Sequence, residues 1–160
     1  MKTLSYQPIG IVHTPFEGIK NVPIQPTAAA GIRGTVEVLA EFTAGLKDLG
    51  GFSHVILLYH FHRSTQVRLS VVPFLDRELR GVFATRAPSR PNPIGLSIVR
   101  LLSIEGNVLH IENVDMLDGT PFLDIKPYVP LFDHHENARM GWLETANEDV
   151  KEKRSDDRFK

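Results

Sequence analysis

Residues 95–114 read GLSIVRLLSIEGNVLHIENV, two strand-like runs on either side of the turn Glu105-Gly106-Asn107. A short turn between two such runs predicts a β-hairpin over 95–104 and 108–114. Beyond this hairpin, 12 glycines and 11 prolines interrupt the chain, so few windows are long enough for a helix of average length. The sequence therefore predicts a mainly β fold whose mostly antiparallel sheet is closed or nearly closed.

The other predicted strands are short and separated by loops. Residues 53–62 are rich in leucine and in β-branched and aromatic residues, so we expect a central strand buried on both faces. Residues 43–49 are predicted to form one or two helical turns, with Thr43 as the N-cap and Gly50-Gly51 as the stop. Further strands are predicted at 9–14, 34–42, 81–85 and 122–125, and loops at 15–26 and 63–79.

The size and composition indicate one globular unit. The chain has 160 residues, a hydrophobic fraction of 42% and a net charge of −1, which is ordinary for a single soluble domain. It contains no cysteine, which excludes disulfides, thiolate zinc sites and a cysteine nucleophile. No apolar run approaches the roughly 20 residues of a membrane span, so no membrane association and a cytoplasmic location are expected.

Composition divides the chain into a core domain and a tail. Residues 144–160 hold 11 charged side chains and almost nothing apolar, so they are expected to form a frayed tail or, less favourably, a solvated helix. We therefore predict one domain over 1–143 and a charged C-terminal tail over 144–160. The sequence contains no Gly-x-Gly-x-x-Gly, which excludes a Rossmann-type unit, so a nucleotide-like cofactor would need another scaffold.

Residues 81–95, GVFATRAPSRPNPIG, here called the arginine loop, are predicted to form a short apolar strand that runs into a stiff loop. Its three prolines fix their own φ and restrict the residue before each of them. Arg86, Arg90 and Asn92 project from this loop, and donors held in fixed positions suit an anion or a carboxylate. The alternative interpretation is a rigid connector with exposed arginines.

A second unusual stretch, here called the Asp-Gly segment, is 115–128, DMLDGTPFLDIKPY. Asp118-Gly119 is a turn dipeptide that Thr120-Pro121 extends, and Asp124 and Lys126 share one face of the strand that follows. Such a turn exposes backbone N–H and C=O groups, which suit the edges of an adenine or the polar end of an amino acid. The alternative interpretation is an ordinary β-turn.

Charge and histidine patterns leave two further interpretations open. Between residues 60 and 100, two acids, Asp76 and Glu78, face a much larger number of arginines, which indicates a footprint for a phosphate backbone unless the charges are scattered. These arginines are Arg63, Arg68, Arg77, Arg80, Arg86, Arg90 and Arg100. His60-x-His62 and the ligand types at 133–136 make a metal site conceivable, although His-x-His on a strand more often serves packing.

The arginine loop and the Asp-Gly segment together closely resemble the TsaA-like family, whose characterised members are TrmO-type tRNA (adenine-N6)-methyltransferases. The shared pattern is Gly81-x-Phe83-x-Thr85-Arg86-x-Pro88-x-Arg90-Pro91-Asn92-Pro93-Ile94-Gly95, followed by Asp118-Gly119-Thr120-Pro121-x-Leu123-Asp124-Ile125-Lys126-Pro127-Tyr128. The resemblance spans about residues 5 to 132 and implies a small single-sheet antiparallel β-barrel with short helices, which binds S-adenosylmethionine (SAM) without a Rossmann unit. It further implies a homodimer that methylates N6 of threonylcarbamoyl-adenosine at position 37 of tRNA.

Carried over by position, the resemblance implies a set of SAM contacts. These are Pro23, Ile24, Gln25, His62, Arg63, Arg86, Leu96, Asp118, Gly119, Thr120 and Pro121. The family has arginine where this chain has Ile24, so one charged contact is missing. Longer bacterial members also carry a C-terminal domain, so the grip on tRNA is expected to differ.

Methyl transfer by in-line displacement requires mainly the positioning of two reactants and no metal. The acceptor nitrogen loses a proton, and Asp118, Asp124, His60 and Tyr128 are candidate acceptors. The base in the anticodon loop must leave its stack to react, and Arg63 and Arg90 are candidate tRNA contacts. The alternatives are a non-catalytic protein that binds SAM or tRNA and a histidine-based metal hydrolase.

Overall fold

The computed structural model describes residues 2–145, 152–156 and 159. The strands of this part of the chain are β1 (Gly10–His13), β2 (Arg33–Val38), β3 (His54–His60), β4 (Ser70–Val71), β5 (Arg80–Gly81), β6 (Ile94–Glu105), β7 (Val108–Glu112) and β8 (Thr120–Pro127). 3-10 helices lie between strands at Pro26–Ala28, Ala40–Leu46, Leu49–Gly51 and Val82–Ala84, and the α-helix Pro130–Asp133 and a 3-10 helix at Gly141–Thr145 follow β8. Among the described residues, no helix combines the length and apolar character needed to cross a membrane.

Six strands close into a barrel in the order β1-β2-β7-β6-β3-β8, and every neighbouring pair is antiparallel. Closure leaves no open sheet edge within the barrel. The predicted hairpin is β6–β7, in which Glu105 lies opposite Val108. Gly106 takes the left-handed φ of +62° that suits a tight turn. The predicted single-sheet antiparallel β-barrel with short helices is therefore confirmed.

The hydrophobic core fills the interior of this barrel. Along β3, buried and half-buried side chains alternate, with Val55, Leu57 and Tyr59 buried. Side chains of a strand point alternately to its two faces, and a barrel has only one interior. The prediction that residues 53–62 are buried on both faces is thus wrong, and the outer face of β3 is half-buried.

The predicted strand over 34–42 ends early, at Val38. β1 begins with Gly10, which lies opposite Val38, so β2 has no partner strand beyond that residue. A 3-10 helix then starts at Ala40, and the prediction of Thr43 as an N-cap is wrong because Thr43 lies inside this helix. Gly50-Gly51 does not stop it either, since both glycines belong to the next 3-10 turn.

The predicted strand over 81–85 is also wrong. Its partner, β4, has only two residues, so pairing stops after Gly81. The chain then forms the 3-10 turn Val82–Ala84, in which the Thr85 hydroxyl donates a hydrogen bond to the Val82 carbonyl (2.9 Å). The predicted loop over 63–79 is otherwise confirmed, with β4 as a short interruption.

The described part of the tail lies against the N-terminal loop (residues 15–26). Arg154 forms an isolated β-bridge with Pro23. The Ser155 hydroxyl donates to the Ile19 carbonyl (2.6 Å) and accepts from the Val22 N–H (2.9 Å). These contacts show an ordered segment where composition indicates a frayed tail. The division into a core domain and a tail at residue 143 stays a prediction.

Candidate functional site

A cavity of about 330 Å³ opens where β3 ends and β6 begins. Both unusual stretches of sequence contribute to its wall. The lining residues are Thr85, Arg86, Pro88, Arg90, Ile94 and Gly95 of the arginine loop and Asp115, Met116, Leu117 and Thr120 of the Asp-Gly segment. The N-terminal loop and the tail complete it, the latter with Ser155, Asp156 and Phe159. Segments far apart in sequence therefore converge on one concave surface of the size that small ligands occupy.

Most of the predicted cofactor contacts line this cavity. They are Pro23, Ile24, Gln25, His62, Arg63, Arg86, Leu96 and Thr120. Ile24 places an apolar side chain at the cavity wall. Asp118, Gly119 and Pro121 do not line the cavity but lie beside the lining residue Thr120.

The turn at Asp118-Gly119 is engaged by the fold itself. The Asp118 N–H donates to the Phe16 carbonyl (2.8 Å), and the Gly119 N–H donates to the Val12 carbonyl (3.0 Å). The Asp118 carboxylate also accepts from the Thr14 N–H (3.0 Å). The expectation that this turn offers these two N–H groups to a ligand is therefore wrong, because they hold the turn to the start of the barrel.

Arg86 joins two walls of the cavity. Its Nη1 donates a hydrogen bond of 2.8 Å to Oε1 of Gln25, which lies 61 residues earlier in the chain. Since both residues line the cavity, a guanidinium and an amide are held together at its surface. A pair of this kind suits a carboxylate, which accepts two parallel hydrogen bonds from arginine.

Arg90 has a structural role within the arginine loop. Its Nη1 donates to three backbone carbonyls of that loop, those of Val82 (3.2 Å), Thr85 (2.8 Å) and Ala87 (3.3 Å). The guanidinium also lies 5.8 Å from the ring centre of Phe83. Its predicted contact with tRNA stays a prediction, but the first function of this charge is to fix the loop.

The other arginines of the predicted phosphate footprint do not form one uniform free surface. Arg80 pairs with Asp76 (2.7 Å) and Glu78 (3.1 Å), and Arg100 pairs with Glu112 (3.5 Å). These ion pairs neutralise part of the charge on the protein surface itself. Arg63 and Arg86 are cavity residues, so they bring positive charge to the cavity wall.

None of the four candidate proton acceptors lines the cavity. Asp124 pairs with Lys126 on β8 (2.7 Å). Tyr128 lies against His54, at the opposite end of β3 from the cavity. Asp124 and Tyr128 therefore lie away from the cavity wall, and their suggested role stays a prediction.

His60 and Asp118 lie close enough to act electrostatically on the cavity residue His62. Burial lowers the pKa of His62, the positive charges of Arg63 and His60 lower it further, and Asp118 partly opposes them. His62 is therefore a neutral imidazole near physiological pH. The two predicted acceptors, His60 and Asp118, thus influence the pKa of a cavity residue without lining the cavity themselves.

A polar row that the sequence did not indicate lies at the base of the cavity. The Ser97 hydroxyl donates a hydrogen bond of 2.6 Å to Oδ1 of Asp115, and the Tyr59 hydroxyl lies 3.0 Å from the Ser97 oxygen. Burial raises the pKa of Asp115 to about 7, although the Ser97 hydrogen bond and the Arg86 charge lower it in part. The available signal was a serine at an inward-facing position of β6, between the buried residues Gly95 and Val99.

The metal alternative gains no support from the arrangement. Within residues 2–145, 152–156 and 159, no three side chains of the histidine, cysteine, aspartate or glutamate type come together as a ligand set. His60 and His62 are not joined by a carboxylate from the Asp133-to-Glu136 stretch.

Comparison with known proteins identifies relatives of this chain. A protein of Pyrococcus abyssi named as a probable S-adenosyl-L-methionine-binding protein is 58% identical over 156 residues, which cover 98% of this chain and 85% of that protein. The human tRNA (adenine(37)-N6)-methyltransferase is 33% identical over 139 residues, 82% of this chain and 32% of the human protein. The crystal structure of TrmO from Pseudomonas aeruginosa matches with a TM-score of 0.75 and 43% identity, over 88% of this chain and 63% of TrmO.

The family model for the tRNA-methyltransferase O N-terminal domain matches residues 11–134. This range contains the whole barrel except the first residue of β1, together with both motif segments. The TrmO crystal structure has the same fold at 43% identity, so the agreement extends from sequence to architecture. The chain belongs to the tRNA-methyltransferase O N-terminal domain family, as its two motif segments predict.

Proposed function

We propose that the chain transfers a methyl group from SAM to N6 of threonylcarbamoyl-adenosine at position 37 of tRNA. The observation that carries this proposal is the convergence of both motif segments on one cavity. Family membership supports tRNA methylation, and the names of the relatives support both SAM and the adenine at position 37. The threonylcarbamoyl group and the anticodon loop as the contacted segment come from the family resemblance.

The residues of the cavity fit SAM by their chemistry. The cofactor combines a charged amino acid end with an aromatic base, and the cavity combines Arg86 and Gln25 with the apolar side chains of Ile24, Leu96 and Met116. Arg86 and Gln25 would hold the carboxylate, and the apolar residues would contact the adenine. When bound, SAM supplies an activated methyl group on a sulfonium, so the chemistry needs no further activation by the protein.

The chain's own contribution is positioning and control of protons. The arginine loop is held rigid by Arg90 and by its prolines, which keeps Arg86 in a fixed place. The barrel supplies the cavity base through Tyr59 and Gly95. A rigid site of this kind lowers the entropic barrier of bringing two reactants into line.

Binding of tRNA would use the positive charge at the cavity, with Arg63 near the reacting base and Arg90 beside it. A homodimer would extend this surface. Large apolar side chains outside the barrel, including Phe83 (74% exposed) and Leu131 (90% exposed), offer area that a second copy would cover. A cytoplasmic location, where tRNA is modified, is part of this proposal.

Calorimetric titration with SAM, followed by transfer of a radiolabelled methyl group to threonine tRNA, tests the proposal. Transfer to tRNA that carries the threonylcarbamoyl group, and none to tRNA that lacks it, is the expected result. Transfer to both would remove the threonylcarbamoyl requirement, and SAM binding without transfer would favour a non-catalytic binder. Absence of SAM binding by the purified chain would overturn the proposal. Binding should also raise the melting temperature, which gives a second measurement of the same interaction.

A further inference from the structure

The polar row at the base of the cavity has a defined direction. The single hydroxyl proton of Ser97 is used in its bond to Asp115 (2.6 Å), so Ser97 has only lone pairs left for Tyr59. The Tyr59 hydroxyl therefore donates to Ser97 across their 3.0 Å separation. The hydroxyls of Tyr59 and Ser97 therefore donate in series toward the Asp115 carboxyl group. This arrangement makes the ionised form of Asp115 more stable than a buried carboxylate without hydrogen bonds.

This row is exceptional in its surroundings. Ser97 is 0% exposed and Tyr59 4% exposed, and both lie within a largely apolar barrel interior in which Thr120 is a further buried polar residue. Polar groups at such positions destabilise a core unless they are hydrogen-bonded, and apolar residues of similar size would pack there without that requirement. The row ends at Asp115, which is half-buried and lines the cavity. The accessible part of its carboxyl group is therefore reached from the cavity.

The charged and titratable groups that act on Asp115 are few. Arg86 of the arginine loop is the positive charge that acts on it, Ser97 of β6 donates to it, and its own backbone contributes a further hydrogen bond. Tyr59 of β3 is the titratable neighbour, and burial keeps that phenol protonated by raising its pKa. Since the pKa of Asp115 is raised to about 7, both protonation states are available near neutral pH, as proton transfer requires.

We propose that Asp115 is the catalytic residue that accepts the proton from the acceptor nitrogen, an inference that rests on the proposed function. The nitrogen forms its bond to the methyl carbon as the carbon–sulfur bond breaks, and the electron pair of that bond stays on sulfur. The proton of the nitrogen passes to the Asp115 carboxylate and from there to water. Asp115 lines the cavity, whereas the other candidate acceptors, Asp118, Asp124, His60 and Tyr128, do not.

The test is Asp115→Asn, which keeps the shape of the side chain and an oxygen for the Ser97 hydrogen bond. We expect kcat to fall by about 10²- to 10⁴-fold, the range of a general base, while the Kd for SAM changes less than about threefold. The wild-type rate should rise with pH through an apparent pKa near 7, and the variant should lose this step. Glu41→Gln, an exposed carboxylate on a 3-10 helix, is the matched control and should behave as wild type.

A second measurement does not depend on activity. Infrared difference spectra of the protein without SAM should show one protonated carboxyl group that ionises between about pH 6 and 8, and Asp115→Asn should lack that signal. Ser97→Ala removes a hydrogen bond that favours the carboxylate, so the same transition should move to higher pH without loss of the fold. An unchanged spectrum in Asp115→Asn would overturn the assignment.

The remaining outcomes separate the possible failures. If the wild type methylates tRNA and Asp115→Asn is equally active, Asp115 is not the acceptor and the proposed function stands. If the variant loses affinity for SAM but not for the neutral product S-adenosylhomocysteine, Asp115 contacts the sulfonium and the proposal is overturned. If the wild type binds SAM and methylates no tRNA, the proposed function fails and the assignment fails with it.

Discussion

Gly95 lies directly opposite Tyr59 across β3 and β6, and the tyrosine ring covers the Cα of the glycine. A Cβ at position 95 would lie 2.5 Å from Cζ of the ring, which no real contact allows. Ser97 is two residues further along β6 and shares the face of Gly95. The glycine thus provides the space in which the ring lies so that its hydroxyl reaches Ser97.

We expect Gly95→Ala to lower the free energy of unfolding by about 1–3 kcal/mol, since overpacking displaces the ring or the strand. Chemical denaturation measures the change. Gly45→Ala is the control, because a Cβ at position 45 meets nothing within 4 Å. Equal denaturation midpoints for the two variants would show that the Tyr59 ring can move aside without loss of stability.

The raised pKa of Asp115, about 7, predicts a dependence of stability on pH. An unfolded aspartate has a pKa near 3.9, so folding favours the protonated form. This contribution is complete below about pH 4 and is lost as pH rises to about 7. Asp115→Asn avoids the loss, so at pH 8 it should exceed the wild type in free energy of unfolding by up to about 4 kcal/mol. Melting curves at pH 4, 6 and 8 check whether the difference grows with pH, and a constant difference would contradict it.

The hydrogen bond between Arg86 and Gln25 predicts a shared role in cofactor binding. Arg86→Ala should raise the Kd for SAM about 10- to 100-fold, as expected for a charged hydrogen bond of about 1.5–3 kcal/mol. Gln25→Ala should have a smaller effect, and the double variant should cost less than the sum of the two. Lys47→Ala, outside the cavity, serves as control in the same titration calorimetry. An unchanged Kd in Arg86→Ala would remove this residue from the site.

The contact of Phe159 with Phe74 predicts that the tail contributes to the cavity. Their rings meet edge to face with centres 5.1 Å apart, and both residues line the cavity. Phe159→Ala should raise the Kd for SAM by up to about 10-fold, because such a pair is worth about 0.5–1.5 kcal/mol. Leu79→Ala, at an exposed site outside the cavity, should leave the Kd unchanged. If both variants bound SAM with the same affinity, the tail would not contribute to SAM binding.

The position of Arg63 at the cavity predicts a phosphate contact with tRNA. Arg63→Ala should weaken tRNA binding and make log Kd less dependent on log salt concentration by about one unit of slope. Binding measured at four salt concentrations gives both numbers. An unaltered slope with weaker binding would indicate a contact with the base and not with a phosphate.

The residues themselves predicted a mostly antiparallel, closed or nearly closed sheet, because hairpins and turns depend on local sequence. The small barrel and the sharing of one cofactor site by the two motif segments were implied by the family resemblance. The strand ends could not be predicted from local pattern alone. Val38 ends β2 because β1 begins opposite it, and Gly81 ends β5 because β4 is short. Asp115 was missed for a related reason: its raised pKa arises only when the barrel closes around it, and its partner Ser97 resembles any polar residue of a strand.

The two sides of the cavity are held in different ways. Its base belongs to β3 and β6, whose backbones pair over seven successive positions, whereas the rim is joined by the few bonds between Val22 and Ser155. Amide protons at the base should therefore exchange with solvent only when the whole molecule unfolds, and those at the rim through small local openings. Ligand entry and release would then require only the breaking of the hydrogen bonds between Val22 and Ser155, with the barrel staying folded throughout.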